Sequence, residues 1–241
     1  MNKNITKPVV KPIAVIYRGP ASDDNSCDAI RLAIKNKFDI IFAGPKETID
    51  VPKALSTKPL PLIYFQPGGG DDLDVAWESV KSYKEPIREY ISNGGHYIGI
   101  CMGGFLAGQD LLENDSKSGY CLLQESETDS LDYKELRDSD VKNMDDCLIK
   151  IKWRGIDKKV YFQGGPAFEL DDEYKTSKNI NVLARYTNNY IAAMVVPFGK
   201  GFVGVCGPHP EASIDWYSIF PGSQPVVELF IDLINTTCSL N

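Results

Sequence analysis

Four short apolar runs, closed by turns rich in glycine or proline, divide the first hundred residues and leave few folds open. They are Ile13–Tyr17, Asp39–Ala43, Leu62–Gln66 and His96–Ile100. Runs of this length and composition read as buried strands. Between them, Cys27–Lys37 puts Ile30, Ala33 and Ile34 on one helical face. Asp72–Lys81 and Glu85–Ser92 also read as helices, the second stopped by Gly94-Gly95. Strands alternating with helices at this spacing predict a parallel, doubly wound α/β sheet.

The second half changes character. Residues 125–146 are acidic and polar, with no clear apolar period. Strands are then expected at Leu148–Trp153, Val160–Gln163, Val182–Tyr186, Ile191–Val196 and Phe202–Cys206. The gaps at Asn188-Asn189 and Gly199-Lys200-Gly201 suggest hairpins, so part of the sheet is expected to be antiparallel. A last helix is expected over Gln224–Ile234. Residues 1–11 read as a short polar tail, and 12–241 as a single domain with no repeat and no low-complexity linker.

Composition narrows the function classes. A formal charge of -7 and the lack of a basic stripe argue against nucleic acid or an anionic membrane as partner. No apolar run approaches the ~20 residues of a membrane span, and the N-terminus lacks a secretory h-region. The six cysteines are scattered without a CxxC pair, which fits reduced thiols in a cytoplasm. Two distant histidines and no CxxC give no ligand cluster, so neither a metal nor another cofactor is expected.

One cysteine stands apart. Gly99-Ile100-Cys101-Met102-Gly103-Gly104 has the G-x-nucleophile-x-G form, preceded by a strand and followed by Phe105–Leu112 as an apolar helix start. A nucleophile on such a turn needs small residues two before and two after it, because strand and helix come close there. A helix N-terminus favours a thiolate, and the Met102 N–H is placed to donate to an oxyanion. The competing reading is a buried core cysteine in a glycine-rich turn.

The base follows by elimination. His96 lies five residues before Cys101 on the same strand, roughly 16 Å away at ~3.3 Å per residue. That leaves His209, in Gly207-Pro208-His209-Pro210-Glu211 after the last apolar strand. Pro210 holds His209 extended, so Glu211 projects to the same side and can orient the imidazole. The plainer alternative is a rigid, proline-bracketed turn with a solvated glutamate. The glycine loop Gly68-Gly69-Gly70 after the third strand can turn its N–H groups inward and share an oxyanion hole with Met102. A phosphate loop is disfavoured by the neighbouring aspartates and the missing G-K-[ST]; a plain turn stays open.

These segments together resemble the class I glutamine-amidotransferase-like superfamily. PGGG after a strand, GICMGG at the turn and GPHPE near the C-terminus carry the resemblance, which extends from about residue 12 onward. The match is closer to the N-terminal domain of biotin–protein ligases and its free-standing relatives. It is supported by Tyr17-Arg18-Gly19-Pro20-Ala21, Val160-Tyr161-Phe162-Gln163-Gly164-Gly165 and Ala184-Arg185-Tyr186. The resemblance implies a flavodoxin-like three-layer sandwich and a triad of Cys101, His209 and Glu211. It also implies an oxyanion hole lined by Gly69, Gly70 and Met102, and a substrate pocket lined by Gly68, Phe105, Tyr161 and Gly165. Two departures limit it. Amidotransferases proper carry a glutamine where this chain has Phe105, so glutaminase activity is not expected. No Gly/Arg-rich biotinyl-AMP loop is found, so ligation is not expected either. Two functions remain: thiol-dependent hydrolysis or transfer at an unidentified amide or related carbonyl, and a binding or regulatory module that kept the pocket without turnover. A small amide-type ligand, a protein partner or a second copy of the chain are the partners considered.

Overall fold

A computed structural model describes residues 10–70, 72–112, 115–123, 128–143, 145–170 and 180–239. Most of the expected tail, residues 1–9, lies outside them. The N-terminal half alternates as expected: β1 Ile13–Tyr17, α1 Asp24–Ile34, β2 Asp39–Ala43, α2 Val51–Leu55, β3 Ile63–Gln66, α3 Leu73–Val80, α4 Lys84–Ser92, β4 His96–Ile100 and α5 Met102–Leu106. Then come β5 Thr128–Asp132, β6 Cys147–Trp153, β7 Ile156–Phe162, β8 Pro166–Leu170, β9 Asn181–Tyr186, β10 Ile191–Phe198, β11 Gly201–Cys206 and α6 Val227–Cys238.

All eleven strands join one sheet in the order β2-β1-β3-β4-β11-β10-β9-β6-β7, with β8 paired to β10 and β5. The first five of that order are parallel; β10, β9, β6 and β7 run antiparallel. Both expected hairpins form, between β9 and β10 and between β10 and β11. Helices cover both faces. Ile30 and Ile34 of α1 and Phe230, Leu233 and Ile234 of α6 pack on Ile16, Phe65 and Ile98. On the other face α2, α3 and α4 pack Val51, Trp77 and Ile87 on Val15, Tyr64 and Tyr97. This is a three-layer α/β sandwich. Burying each such large apolar side chain contributes about 1.5–3 kcal/mol. Among the described residues no helix is long and apolar enough to cross a membrane.

Three local expectations need correction. Phe105–Leu112 does not continue as a helix. Helix α5 ends at Leu106, and the carbonyls of Leu106, Ala107 and Gly108 accept from Tyr120, Leu122 and Cys121 instead. The apolar residues there are bound to a neighbouring segment rather than to a further helical turn. Within the polar stretch 125–146 lies β5, a strand without apolar alternation held along β8. Helix α1 begins three residues before Cys27, because Asp23 caps it by accepting from the Asn25 N–H at 2.6 Å.

Candidate active site

β3, β4 and β11 are parallel neighbours, with Gln66 level with Gly99 and Cys206 level with Ile100. Their carboxyl ends open at one edge, where doubly wound sheets bind ligands. From that edge β3 runs into Gly68-Gly69-Gly70, β4 into Cys101 and β11 into His209.

Cys101 joins β4 to α5 with φ 51° and ψ −108°, a strained conformation for a residue with a side chain. The turn is tight enough to need glycine on both sides. A Cβ on Gly99 would sit 2.2 Å from the Gly103 carbonyl oxygen, and one on Gly103 2.0 Å from that of Gln66. The Cys101 N–H donates to the Cys206 carbonyl at 2.9 Å, which clamps the cysteine to β11. The residue is 7% exposed, and its thiol donates to the Gln163 carbonyl at 3.5 Å.

His209 and Glu211 are both buried. The His209 N–H donates to the Tyr161 carbonyl at 2.8 Å, an isolated antiparallel bridge. Nδ1 lies 2.9 Å from Glu211 Oε1, and the Cys101 side chain lies near enough for its sulfur to act on the ring's charge. With Nδ1 facing Glu211, Nε2 is the nitrogen left for sulfur. Burial opposes a charged imidazole, but the Glu211 carboxylate and the Cys101 sulfur outweigh it and push His209 up to about 10. Glu211 thus lies on the imidazole of His209, and Cys101 and that imidazole lie on either side of Gly68. His96 lies at the opposite end of β4, where its Nδ1 accepts from the Phe202 N–H at 3.2 Å.

Gly68 fits between the two reactive groups. A Cβ there would lie 2.5 Å from His209 Cε1 and 3.0 Å from Cys101 Cβ. The loop it belongs to is fixed from α1. The Ser26 hydroxyl accepts from the Gly68 N–H at 3.1 Å and donates to Glu211 Oε1 at 3.3 Å. Beneath them the fully buried Gln66 accepts from the Tyr64 hydroxyl at 2.8 Å and donates to the Ala21 carbonyl at 3.1 Å. Ser26 and Gln66 carry no sequence signal of their own. They gain meaning only when α1 and β3 are brought together.

The cleft has two chambers that share Gly69, Gly70 and Gln163. The smaller, about 240 Å³, holds Cys101, Met102, Phe105 and Gly164. The larger, about 520 Å³, is walled by His209, Tyr161, Trp216 and several polar side chains. Phe105 and Tyr161 thus line the cleft as expected. Gly165 does not: its Cα faces the Gly207 carbonyl oxygen, 2.0 Å from where a Cβ would sit, and it serves close backbone packing. Gln163 and Gly164 of the same segment form the wall instead. Trp216, with its ring 5.3 Å from His209, sits on a 3-10 turn that sequence periodicity does not mark.

Burial pushes Cys27, Cys147, Cys206 and Cys238 upward. Cys121 is half-buried, with the Lys84 ammonium 3.1 Å from its sulfur.

Comparison with known proteins bears on this arrangement. Residues 14–117 match the family model described as biotin-protein ligase, N terminal. Among solved structures, a glutamine amidotransferase from Thermotoga maritima superposes with a TM-score of 0.55 at 12% identity, covering 94% of this chain and 98% of that one. The chain shares the fold of this glutamine amidotransferase. A glutamine amido transferase from Methylobacillus flagellatus gives 0.50 at 14% identity, over 96% and 91% of the two chains. A cytoplasmic protein from Salmonella typhimurium LT2 gives 0.52 at 14%, over 94% and 99%. At such identities the likeness concerns the fold. No curated protein sequence matches the chain. The family match takes in Gly68–Gly70 and Cys101 and stops before His209 and Glu211.

Proposed function

We propose that this protein is a cysteine-dependent hydrolase or acyl transferase acting on an amide or related carbonyl other than glutamine. The observation that carries the reading is the buried Cys101–His209–Glu211 cluster, with His209 Nδ1 2.9 Å from Glu211 Oε1 and both the imidazole and Cys101 lying against Gly68. His209 takes the thiol proton, and the sulfur attacks the carbonyl carbon to give a tetrahedral adduct. N–H groups of Met102 and of Gly69 or Gly70, all lining the Cys101 chamber, are the candidate donors to its oxyanion. As the C–N bond breaks, the imidazolium returns the proton to the leaving amine. Water or an acceptor nucleophile, deprotonated by His209, then releases the acyl group and regenerates the thiol. Glu211 holds the ring and stabilises its charged form.

Phe105 in the chamber wall offers no hydrogen bond to a glutamine side chain, which supports a different substrate. Six free cysteines support a reducing, cytoplasmic setting. The low exposure of Cys101 favours one alternative, a regulatory module that binds a ligand without turnover. Screening amide, ester and peptide substrates against wild type and Cys101→Ala decides between them. Turnover with a mass increment trapped on Cys101 is expected. A Cys101 that stays unmodified by every substrate and by limiting iodoacetamide, while Cys121 is labelled, would leave the binding module as the function.

A further inference from the structure

The larger chamber of the cleft restricts what Cys101 can act on. Its wall includes three aspartates, Asp23, Asp146 and Asp215, and no lysine or arginine among the described residues. All three are exposed, and none is in an ion pair among the described residues. Asp23 accepts only a backbone N–H, from Asn25 at 2.6 Å, and Asp146 lies close enough to Tyr161 to add to the upward push that burial gives its phenol. No lysine or arginine among the described residues pairs with them, and the one cationic group in the same wall, the His209 ring, is paired with Glu211 instead. The aspartates do not converge as a metal-binding group. They share the chamber wall with a ring pair. Tyr161 and Trp216 pack edge to face with centroids 5.0 Å apart, and both line the same chamber. Unpaired carboxylates and aromatic rings in one wall suit a bulky organic cation, which gains from diffuse charge and from the ring quadrupoles. His209 lines this chamber too, so a group seated there lies within reach of the base.

We propose that the substrate carries a positive charge, an ammonium, amidinium or guanidinium group, and seats it in this chamber between Asp23, Asp146, Asp215 and the Tyr161–Trp216 rings while its carbonyl reaches Cys101. This deepens the function proposed above and rests on Cys101 being the reacting thiol. The test reads the chamber's charge without needing the substrate. Cys101 is labelled with two methanethiosulfonates of similar size, one bearing trimethylammonium and one sulfonate, at low salt, with peptide mapping to separate it from Cys121. The ratio of cationic to anionic rates is divided by that of a free small thiol. An excess of about tenfold is expected, falling to within about twofold in 0.5 M salt, where screening acts over only a few ångströms. The same fall is expected in Asp23→Asn/Asp146→Asn/Asp215→Asn. These changes keep the acceptor oxygens, and asparagine keeps the helix cap at position 23. A ratio equal to that of the free thiol in wild type, or one the triple substitution leaves unchanged, overturns the cationic substrate and leaves the thiol chemistry standing. A Cys101 inert to both reagents while Cys121 reacts overturns the thiol chemistry, and the proposal with it.

Discussion

A single methyl group at residue 68 separates the integrity of the fold from the coupling of Cys101 to His209. Gly68 has a backbone conformation open to alanine, so Gly68→Ala introduces no φ penalty; the cost is spatial. The new carbon would sit 2.5 Å from His209 Cε1, where carbon contacts normally lie at about 3.5–4.0 Å. Something must retreat by about 1 Å. The loop is held on both sides, by the Gly68 N–H on Ser26 at 3.1 Å and by the Asp23 N–H on the Gly68 carbonyl at 2.9 Å. The imidazole has one ring hydrogen bond, to Glu211, with Trp216 and Tyr161 packed beside it; that is one fixed point against the loop's two, so the ring is what gives. Overpacking of this kind costs about 1–3 kcal/mol. For a chain of this size that is a Tm drop of roughly 2–12 °C. The ring's displacement moves the imidazole from the sulfur, and loss of a positioned base is worth about 10²–10⁴-fold in rate. Cys101 labelling by iodoacetamide at neutral pH is expected to slow by at least about tenfold in folded Gly68→Ala protein. Urea unfolding run alongside places the stability loss. Wild-type labelling of a variant that is destabilised as expected would mean that His209 does not activate this thiol.

Ser26→Ala removes a donor to Glu211 and strands the Gly68 N–H; it is expected to cost about 1–3 kcal/mol in urea unfolding, with about 1 kcal/mol of coupling to Glu211→Gln in a double-mutant cycle. Additive losses would show that the two side chains act separately. His209 sits at about 10 in the folded protein against an unfolded value near 6.5. Its raised value means that its contribution to stability is complete below about 6.5 and is lost as pH rises toward 10. The stability difference between wild type and His209→Gln is therefore expected to shrink from pH 6 to pH 8, before the buried thiols matter; a difference that grows with pH would contradict the charged ring. Free glutamine is expected to release negligible ammonia, and Cys101-dependent glutaminase turnover would refute the significance given to Phe105.

Where local sequence decides local structure, the chain was readable. Ile13–Tyr17, Asp39–Ala43 and His96–Ile100 are strands with those bounds, because each is an apolar run that a turn must close. The Cys101 turn was legible for the same reason: the close approach of Gly103 to Gln66 leaves no room for a side chain, and that demand is written as glycine. His209 followed from arithmetic, since His96 is on the wrong end of the strand. What escaped depends on distant partners. Thr128–Asp132 is a strand only because β8 offers it an edge, and its own residues alternate nothing. Ser26 looks like any polar residue in a helix's first turn until Glu211, 185 residues away, accepts its hydroxyl. The aromatic wall of Tyr161 and Trp216 comes from two segments that periodicity treats as unrelated.

The position of β11 between β4 and β10 sets the order in which the protein can become reactive. The glycine loop and Cys101 are laid down in the first 101 residues, whereas the strand that clamps the cysteine and delivers its base is synthesised about a hundred residues later. During that interval β4 has one open edge and its thiol has neither the Cys206 carbonyl nor the His209 ring beside it. A chain stopped before Gly201 lacks its reactive apparatus and carries two unpaired strand edges, β4 and β10, of the kind that recruit other chains. Reactivity therefore arrives last, with closure of the sheet, and truncated products are expected to aggregate rather than to act.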